Sequence, residues 1–159
     1  MNKIVENIPY DELVVGQRTE LVHTTTEEDV KLFAAASGDT NPAHLDAEYA
    51  ATTQFKQVIV HGMFSAGLIS TAIGTQLPGI GTIYLGQDLQ FRRPVYIGDT
   101  LTVSISVLEK NDDKKWVTLE TLVTNQKGEK VVTGKANVMP PTQKVQRTLP
   151  DIPQVKFVD

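Results

Sequence analysis

The sequence predicts an α+β domain built on an antiparallel sheet. Helical patterns occupy the first half of the chain and strand patterns occupy the second half, an order typical of this class. The length of 159 residues suits one domain. A composition of 40% hydrophobic and 21% charged residues is ordinary for a globular protein and unlike a disordered chain.

Local patterns predict the first strand and the first helix. Moderate alternation of apolar and polar residues over 17–24 indicates a strand. Residues 25–28 read Thr-Thr-Glu-Glu, the Thr-x-x-Glu spacing of a capping box, so a helix is expected to start there. Gly38 fits the end of this helix, because glycine accepts the left-handed cap conformation. The expected buried face consists of Val30, Leu32, Phe33 and Ala36.

A structured loop and a helix rich in small residues come next. Residues 39–44 are expected to form the loop, because Pro42 fixes its own φ and biases Asn41 towards an extended backbone. A short helix capped by Asp46 follows. The second main helix is expected over roughly residues 61–76. Its three glycines weaken an isolated helix, so close packing against a sheet must stabilise it.

The second half of the chain predicts four strands and then a tail. The strands are expected at residues 82–91, 100–109, 116–125 and 129–139, and their length suits a curved sheet. Four prolines lie in the last twenty residues. We therefore assign residues 1–140 to the domain and residues 141–159 to an extended, proline-containing tail or linker.

Composition excludes several classes of function. The absence of cysteine removes thiolate nucleophiles, disulfides and iron–sulfur clusters. A net charge of −4 without a long Lys/Arg run argues against binding to nucleic acid or to an anionic membrane. Polar residues and glycines interrupt the most apolar stretch, residues 58–73, so a transmembrane span is not expected. The N-terminus lacks a signal pattern, and a cytoplasmic location is the default expectation.

One of the three histidines stands out as a candidate base. His44 lies five residues after Asp39, in a loop stiffened by proline. A carboxylate and an imidazole held in this way can clamp one water molecule and add it across a polarised double bond. The residues alone leave an alternative open, in which Asp39 caps the turn and His44 satisfies a buried carbonyl.

The start of the second main helix offers a candidate oxyanion site. The backbone N–H of Gly62 is expected to be unpaired at the positive end of the helix dipole, where it can stabilise a developing enolate oxygen. His61 is expected to fix the helix start through a hydrogen bond, and His23 is expected to have no special role. No metal site is expected, because the intervals between the available ligands match no familiar zinc spacing; these ligands are Asp39, His44 and Asp46.

Short stretches along most of the chain form one combined pattern. They are residues 33–46 (FAAASGDTNPAHLD), 50–52 (AAT), 60–63 (VHGM), 77–79 (LPG), 84–87 (YLGQ), 91–95 (FRRPV) and 98–99 (GD). Together they resemble the MaoC-like family of (R)-specific enoyl-CoA hydratases over roughly residues 10–140. The chain is most similar to the hydratase domain that precedes a phosphate acyltransferase domain in bifunctional bacterial proteins, and residues 141–150 look like the linker of those fusions.

The resemblance implies a fold, an assembly and a reaction. The fold is a hot-dog, in which an antiparallel sheet wraps around the helix at residues 61–76. The assembly is a homodimer whose sheets join edge to edge, with active sites near the interface. The reaction is the reversible addition of water to a trans-2-enoyl-CoA, which gives an (R)-3-hydroxyacyl-CoA with no cofactor besides the coenzyme A thioester that serves as substrate.

The resemblance also assigns roles to residues of this chain. Asp39 and His44 correspond to the catalytic pair and Gly62 to the oxyanion donor. Asn41 is expected to shape the loop or to help hold the water. Two helix positions fall where the family lines its acyl pocket, although both are also plain packing positions; they are Ser70 and Ile73.

Coenzyme A carries phosphates, so cationic contacts with the substrate are expected. Arg92 and Arg93 are the candidates. As neighbours on a strand they are expected to point to opposite faces, so that at most one faces a given groove. Solvated charge or a subunit contact is the alternative role for these two residues.

Two other functions compete with the hydratase. A thioesterase of the same fold needs a carboxylate on the central helix, and residues 61–76 contain no Asp or Glu. A non-catalytic module that binds acyl thioesters does not need the water-handling pair, yet Asp39 and His44 are both present.

Overall fold

A six-stranded antiparallel sheet and one long helix form the body of the protein. The structure, a computed structural model, describes residues 3–158. Its strands are β1 (Ile4–Glu6), β2 (Arg18–Thr24), β3 (Ile83–Gln87), β4 (Gln90–Phe91), β5 (Thr100–Asn111), β6 (Trp116–Thr124), β7 (Lys130–Met139) and β8 (Gln146–Thr148). Its helices are α1 (Glu27–Ser37), α2 (Pro42–Leu45), α3 (Ala47–Thr52) and α4 (Gly62–Thr75), and a 3-10 helix spans Tyr10–Glu12.

The main sheet confirms the predicted class. Its strand order is β2-β5-β6-β7-β3, β4 pairs with a different part of β7, and all of these pairs are antiparallel. The register places Val103, Val123 and Val132 side by side across three strands, and all three are buried. Alternation along these strands directs one face of the sheet into the core.

Helix α4 packs its buried side onto this core, as expected for a central helix wrapped by a sheet. Ile69, Ala72 and Ile73 are fully buried among the strand residues. Gly67 and Gly74 instead lie on the exposed side, and a Cβ at either position would meet nothing within 4 Å. The close packing against a sheet that was predicted to stabilise this helix therefore does not involve these two glycines. Within residues 3–158, no helix combines the length and apolar character needed to cross a membrane.

The capping box of α1 is shifted by one residue from the predicted position. The Thr26 side chain accepts the N–H of Asp29, and the Asp29 carboxylate accepts the N–H of Thr26 at 2.8 Å. The buried Thr25 side chain is instead directed at the loop before β5, where its hydroxyl shares its hydrogen between the carbonyl oxygens of Tyr96 and Asp99. Gly38 ends the helix with a φ of 78°, as predicted.

The strand predicted at residues 82–91 is divided into β3 and β4. Between them the backbone of Asp88 crosses β7 at Gly134, where an added Cβ would lie 2.0 Å from the Asp88 carbonyl oxygen. The Asp88 N–H donates to the Lys135 carbonyl, and the Lys135 N–H donates to the Asp88 carboxylate. Glycine on β7 thus allows a close approach that redirects the chain towards the site described below.

The beginning of the predicted tail is part of the folded structure. Strand β8 pairs with β1 in a separate two-stranded sheet. Asn7, which is buried, donates from its amide to the carbonyls of Ile80 and Gln143 and accepts the N–H of Val145. Residues 149–158 have no regular secondary structure and are mostly exposed. The domain boundary at residue 140 stays a prediction.

Candidate active site

The segment after α1 places the Asp39 carboxylate. Gly38 turns the chain out of the helix, and the Asp39 N–H donates to the Ser37 hydroxyl at 3.1 Å. The Asp39 carboxylate accepts the N–H of Asn41 at 3.1 Å, and the Asn41 side chain in turn accepts the N–H of Ala43 at 3.0 Å. These short-range bonds hold the carboxylate at a defined point, and they give Asn41 the loop-shaping role that was one of its two predicted roles.

The next short helix orients the His44 imidazole. Helix α2 begins at Pro42, a residue that suits a first helical position, so part of the predicted loop is helical. The His44 Nδ1 lies 2.7 Å from the carbonyl oxygen of Ile59. A carbonyl can only accept, so Nδ1 carries the hydrogen and Nε2 keeps its lone pair. His44 therefore has one nitrogen fixed and the other free to accept a proton.

A second imidazole lies against His44. His61 stacks on the His44 ring with centroids 3.8 Å apart and an interplanar angle of 26°. Ligand-capable atoms of His44, His61 and the Asp39 carboxylate lie within 4.8 Å of one another. The predicted pair is thus brought together.

Gly62 begins α4 beside this cluster. Its N–H is one of the first amides of the helix, which have no intrahelical partner and lie at the positive end of the dipole. The Phe91 ring packs against Gly62 so closely that an added Cβ would lie 2.8 Å from the ring. Glycine at this position leaves the amide approachable from the cavity, as the predicted oxyanion role requires.

A cavity of about 690 Å³ opens at this point. Its walls are mainly apolar, and Asp39, His61 and Gly62 contribute polar groups to them. The apolar and aromatic residues of the lining include Phe33, Phe55, Ile59, Met63, Phe91, Val95 and Val132. An apolar space with a few convergent polar groups is typical of a small-molecule site.

The predicted acyl-pocket residues do not line this cavity within one chain. Ser70 lies on the exposed side of α4. Ile73 is 1% exposed and belongs to the hydrophobic core, which was the packing alternative for this residue. Met63 and Ser65 are the α4 residues beyond Gly62 that line the cavity. At 1.5 Å per residue, Ser70 and Ile73 lie about 7.5 and 12 Å beyond Ser65 along the helix axis. Their role in the acyl pocket stays a prediction.

Both predicted arginines line the same cavity. Arg92 also lines a second cavity together with Thr133 of β7, so the expectation that at most one of the two side chains faces a given groove stays a prediction. Strand β4 ends at Phe91, so the alternation of a strand does not apply to the two residues that follow it. The Arg92 Nε donates to the Thr133 hydroxyl at 3.1 Å, and Arg93 lies 3.3 Å from the Glu129 carboxylate.

His61 and Ser65 are site residues that the sequence did not predict. The His61 side chain makes no capping bond to the first amides of α4, so the hydrogen bond predicted for it is made to another element. Its Nε2 lies 3.0 Å from the carbonyl oxygen of Asp39 instead. Its Nδ1 and the Ser65 hydroxyl are buried without a partner among residues 3–158. A polar residue on the buried side of an apolar helix was the available signal for Ser65.

The geometry does not favour a metal ion at this cluster. His44 Nδ1 and His61 Nε2 are each bonded to a backbone carbonyl. The remaining nitrogens belong to two rings stacked at an interplanar angle of 26°, so their lone pairs lie in two nearly parallel planes. Tetrahedral coordination of one ion instead needs ligands that converge from different directions. Asp46, the third ligand considered from the sequence, caps α3 by accepting the N–H of Tyr49. The remaining histidine, His23, is paired with the Asp29 carboxylate at 2.8 Å.

Comparisons with known proteins identify the family of this chain. The MaoC like domain family matches residues 14–129. An (R)-specific enoyl-CoA hydratase from Rhodospirillum rubrum is 47% identical over 134 residues, which are 84% of this chain and 92% of the relative.

Two solved hydratases are similar along most of the chain. R-hydratase PhaJ1 from Pseudomonas aeruginosa, in its unliganded form, is 54% identical with a TM-score of 0.94, over 98% of this chain and 100% of that one. The (R)-hydratase from Aeromonas caviae, involved in PHA biosynthesis, is 47% identical with a TM-score of 0.79, over 81% of this chain and 98% of that one.

These findings settle the family and correct one detail. The fold is the predicted hot-dog. The likeness to the linker of an acyltransferase fusion is unsupported, because a hydratase matched over its full length accounts for nearly all of this chain, including most of the C-terminal segment. The matched domain and the relatives together show that the chain belongs to the MaoC-like family.

Proposed function

We propose that the protein is an (R)-specific enoyl-CoA hydratase, which adds water reversibly to trans-2-enoyl-CoA and gives (R)-3-hydroxyacyl-CoA. The observation that carries this proposal is that ligand-capable atoms of the Asp39 carboxylate and the His44 imidazole lie within 4.8 Å of each other. Asp39 and Gly62 line the cavity, whereas His44 is not among its lining residues and adjoins it through the stacked ring of His61. Relatives named (R)-specific enoyl-CoA hydratase, 47% identical over most of the chain, support the same reaction.

The proposed reaction begins with water held by the catalytic pair. The Asp39 carboxylate and His44 Nε2 both accept hydrogen bonds, so together they orient the two hydrogens of one water molecule. As the water oxygen bonds to the β-carbon, one proton passes to this pair and the other hydrogen stays on the new hydroxyl. The pair returns a proton to the α-carbon from the same side, which balances the addition.

Gly62 acts on the charge that develops during this addition. Electron density moves from the double bond towards the thioester oxygen, which becomes enolate-like. The Gly62 N–H donates to this oxygen, and the positive end of the α4 dipole favours the charge. General acid–base catalysis is worth about 10²–10⁴-fold, and one oxyanion donor about 10²–10³-fold.

The remaining substrate contacts follow from the cavity lining. Its apolar side chains accept the acyl chain and the pantetheine arm, while Arg92 and Arg93 offer cations to the phosphates of coenzyme A. The pairing of Arg93 with Glu129 leaves Arg92, which is bonded only to a neutral hydroxyl, as the better phosphate ligand. No further cofactor and no metal take part in the proposed reaction.

The test is hydration of crotonyl-CoA, followed as the loss of absorbance in the enoyl-thioester band. We expect the absorbance to fall with and without a chelator, no free thiol to appear, and the product to be the (R)-3-hydroxy isomer by chiral chromatography. Release of free coenzyme A would favour the thioesterase, and binding without any absorbance change would favour the non-catalytic module. Loss of activity in chelator would contradict the metal-free mechanism.

We propose that the protein works as a homodimer joined through β3. This edge strand pairs with β7 on one side, and its outer residues Ile83, Tyr84 and Leu85 are 51%, 38% and 42% exposed. At the other edge, β2 carries charged side chains such as Arg18 and Glu20, which disfavour edge pairing. The exposed side of α4 is rich in small residues, so a second copy of the chain can approach it closely.

A mass measurement in solution tests the dimer. We expect twice the chain mass of 17.5 kDa by light scattering, and we expect Leu85→Lys to shift the protein towards the monomer. Val22→Lys on β2 is the matched control, because Val22 is a similarly exposed apolar residue on the opposite edge. A monomeric wild type, or equal dissociation by both variants, would contradict dimerisation through β3. The cytoplasmic location stays a prediction of the sequence.

A further inference from the structure

A buried histidine outside the catalytic pair contacts each of the three residues to which the proposed reaction assigns a role. His61 is 2% exposed. Its ring stacks on His44, its Nε2 bonds to the Asp39 carbonyl, and its own backbone leads directly into Gly62. The Phe33 ring also contacts it, with centroids 4.7 Å apart. None of the steps proposed above uses this side chain.

The hydrogen bonds of His61 define which nitrogen carries the hydrogen. The Asp39 carbonyl oxygen can only accept, so His61 Nε2 must donate to it across 3.0 Å. Nδ1 is buried without a partner among the described residues. A hydrogen on Nδ1 would be a buried donor left unpaired, whereas a lone pair there is tolerated better. The structure therefore favours a neutral His61 with its hydrogen on Nε2.

Neighbouring backbone bonds fix the position of this ring. The Val60 N–H donates to the Val95 carbonyl at 2.7 Å, and Ile59 forms an isolated antiparallel bridge with Tyr96. The same Ile59 accepts the bond from His44 Nδ1. One anchored segment, residues 59–61, thus supports both imidazoles, and the His61 ring reaches back 22 residues to the backbone of Asp39.

We propose that His61 is a positioning residue for the hydratase reaction: its Nε2–H holds the Asp39 backbone, and its ring sets the plane of His44. This inference rests on the proposed function. Asp39 itself is held by short-range bonds and by the long-range bond from His61, which ties it to the start of α4. The bonds of Ala43 and His44 to Ile59 tie the other end of the loop to the same segment. A displacement of about 1 Å in a catalytic group costs on the order of 10²-fold in rate.

Two variants separate the hydrogen bond from the ring contact. His61→Gln keeps an N–H donor near the position of Nε2 and removes the ring, whereas His61→Phe keeps an aromatic ring and removes the donor. We expect His61→Phe to lower kcat for crotonyl-CoA on the order of 10²-fold with KM changed less than threefold. We expect His61→Gln to retain at least ten times the kcat of His61→Phe. His23→Gln is the control and is expected to keep the wild-type kcat, because His23 does not line the cavity.

The result for these variants is compared with their thermal stability. A purely structural role would lower stability in both variants and leave kcat per folded protein unchanged, and this outcome would overturn the proposal. Equal kcat for His61→Gln and His61→Phe would also overturn it. If wild-type protein fails to hydrate crotonyl-CoA, the proposed function fails; if wild type is active and His61→Phe is equally active, only this inference fails.

A measurement on the wild type keeps the inference testable even if the variants do not fold. Nitrogen-15 NMR of the imidazole side chains distinguishes the two neutral forms of histidine. We expect His61 to carry its hydrogen on Nε2 and His44 to carry it on Nδ1. A His61 with hydrogen on Nδ1, or on both nitrogens at neutral pH, would overturn the proposed bond to the Asp39 carbonyl.

Discussion

Replacing Asp39 with asparagine removes a negative charge from the catalytic pair and leaves the shape of the loop intact. The asparagine side-chain oxygen can still accept the N–H of Asn41, which the carboxylate accepts at 3.1 Å. The backbone N–H of residue 39 can still donate to the Ser37 hydroxyl. The substitution therefore isolates the chemistry of the carboxylate from its structural role.

The expected size of the effect follows from these contacts. Loss of a general acid–base group costs about 10²–10⁴-fold in kcat, which corresponds to about 2.7–5.5 kcal/mol of activation free energy. The free energy of unfolding is expected to change by less than about 0.5 kcal/mol, because the side chain is exposed and keeps its hydrogen bond. The Asp39→Asn variant should therefore lose most of its activity and keep nearly all of its stability.

The assay is the initial rate of crotonyl-CoA hydration beside a thermal melt of the same preparation. Asp46→Asn is the matched control, since Asp46 lies two residues after His44 and only caps α3. Asparagine caps a helix about as well as aspartate, so this control is expected to keep kcat within about twofold. An Asp39→Asn variant with more than a tenth of the wild-type kcat would refute the role given to the carboxylate.

Three further substitutions test other parts of the structure. Gly134→Ala should lower the free energy of unfolding by about 1–3 kcal/mol, since the added methyl group meets the Asp88 carbonyl, and an unchanged thermal melt would contradict the described crossing. Ile73→Ala should cost about 2–5 kcal/mol as a core substitution; a changed preference for acyl chain length at unchanged stability would instead support its place in the acyl pocket. Burial and the hydrogen bond to Asp112 raise the pKa of Tyr10 from 10.0 to about 12, so the folded protein keeps this proton after the unfolded chain has lost it. Stability should therefore fall as the pH rises from 10 to 12, and Tyr10→Phe should lack this part of the loss in denaturant titrations; an identical pH dependence would contradict it.

The main elements could be predicted because their signals are local. Helix α1 has a cap and a glycine stop within its own sequence, and the Asp46 cap of α3 is equally local. The strands from β5 to β7 are long and are separated by clear turns. Asp39 and His44, the proposed catalytic pair, lie five residues apart in the chain, so their spacing alone indicated that a carboxylate and an imidazole could meet.

The missed features depend on residues far apart in the chain. Strands β1 and β8 are three residues each, and Asn7, which holds them to the body, bonds to Val145 at the other end of the chain. The break between β3 and β4 depends on the fit of Asp88 against Gly134. His61 was assigned to the helix start because its partner, the Asp39 carbonyl, is a backbone group that no sequence pattern identifies.

A crystal structure with an (R)-3-hydroxyacyl-CoA bound tests the central claim most directly. The account predicts the thioester oxygen within hydrogen-bond distance of the Gly62 N–H, and the 3-hydroxyl oxygen within hydrogen-bond distance of both the Asp39 carboxylate and His44 Nε2. A ligand whose hydroxyl lies away from this pair, or whose thioester oxygen is bound by another group, would contradict it.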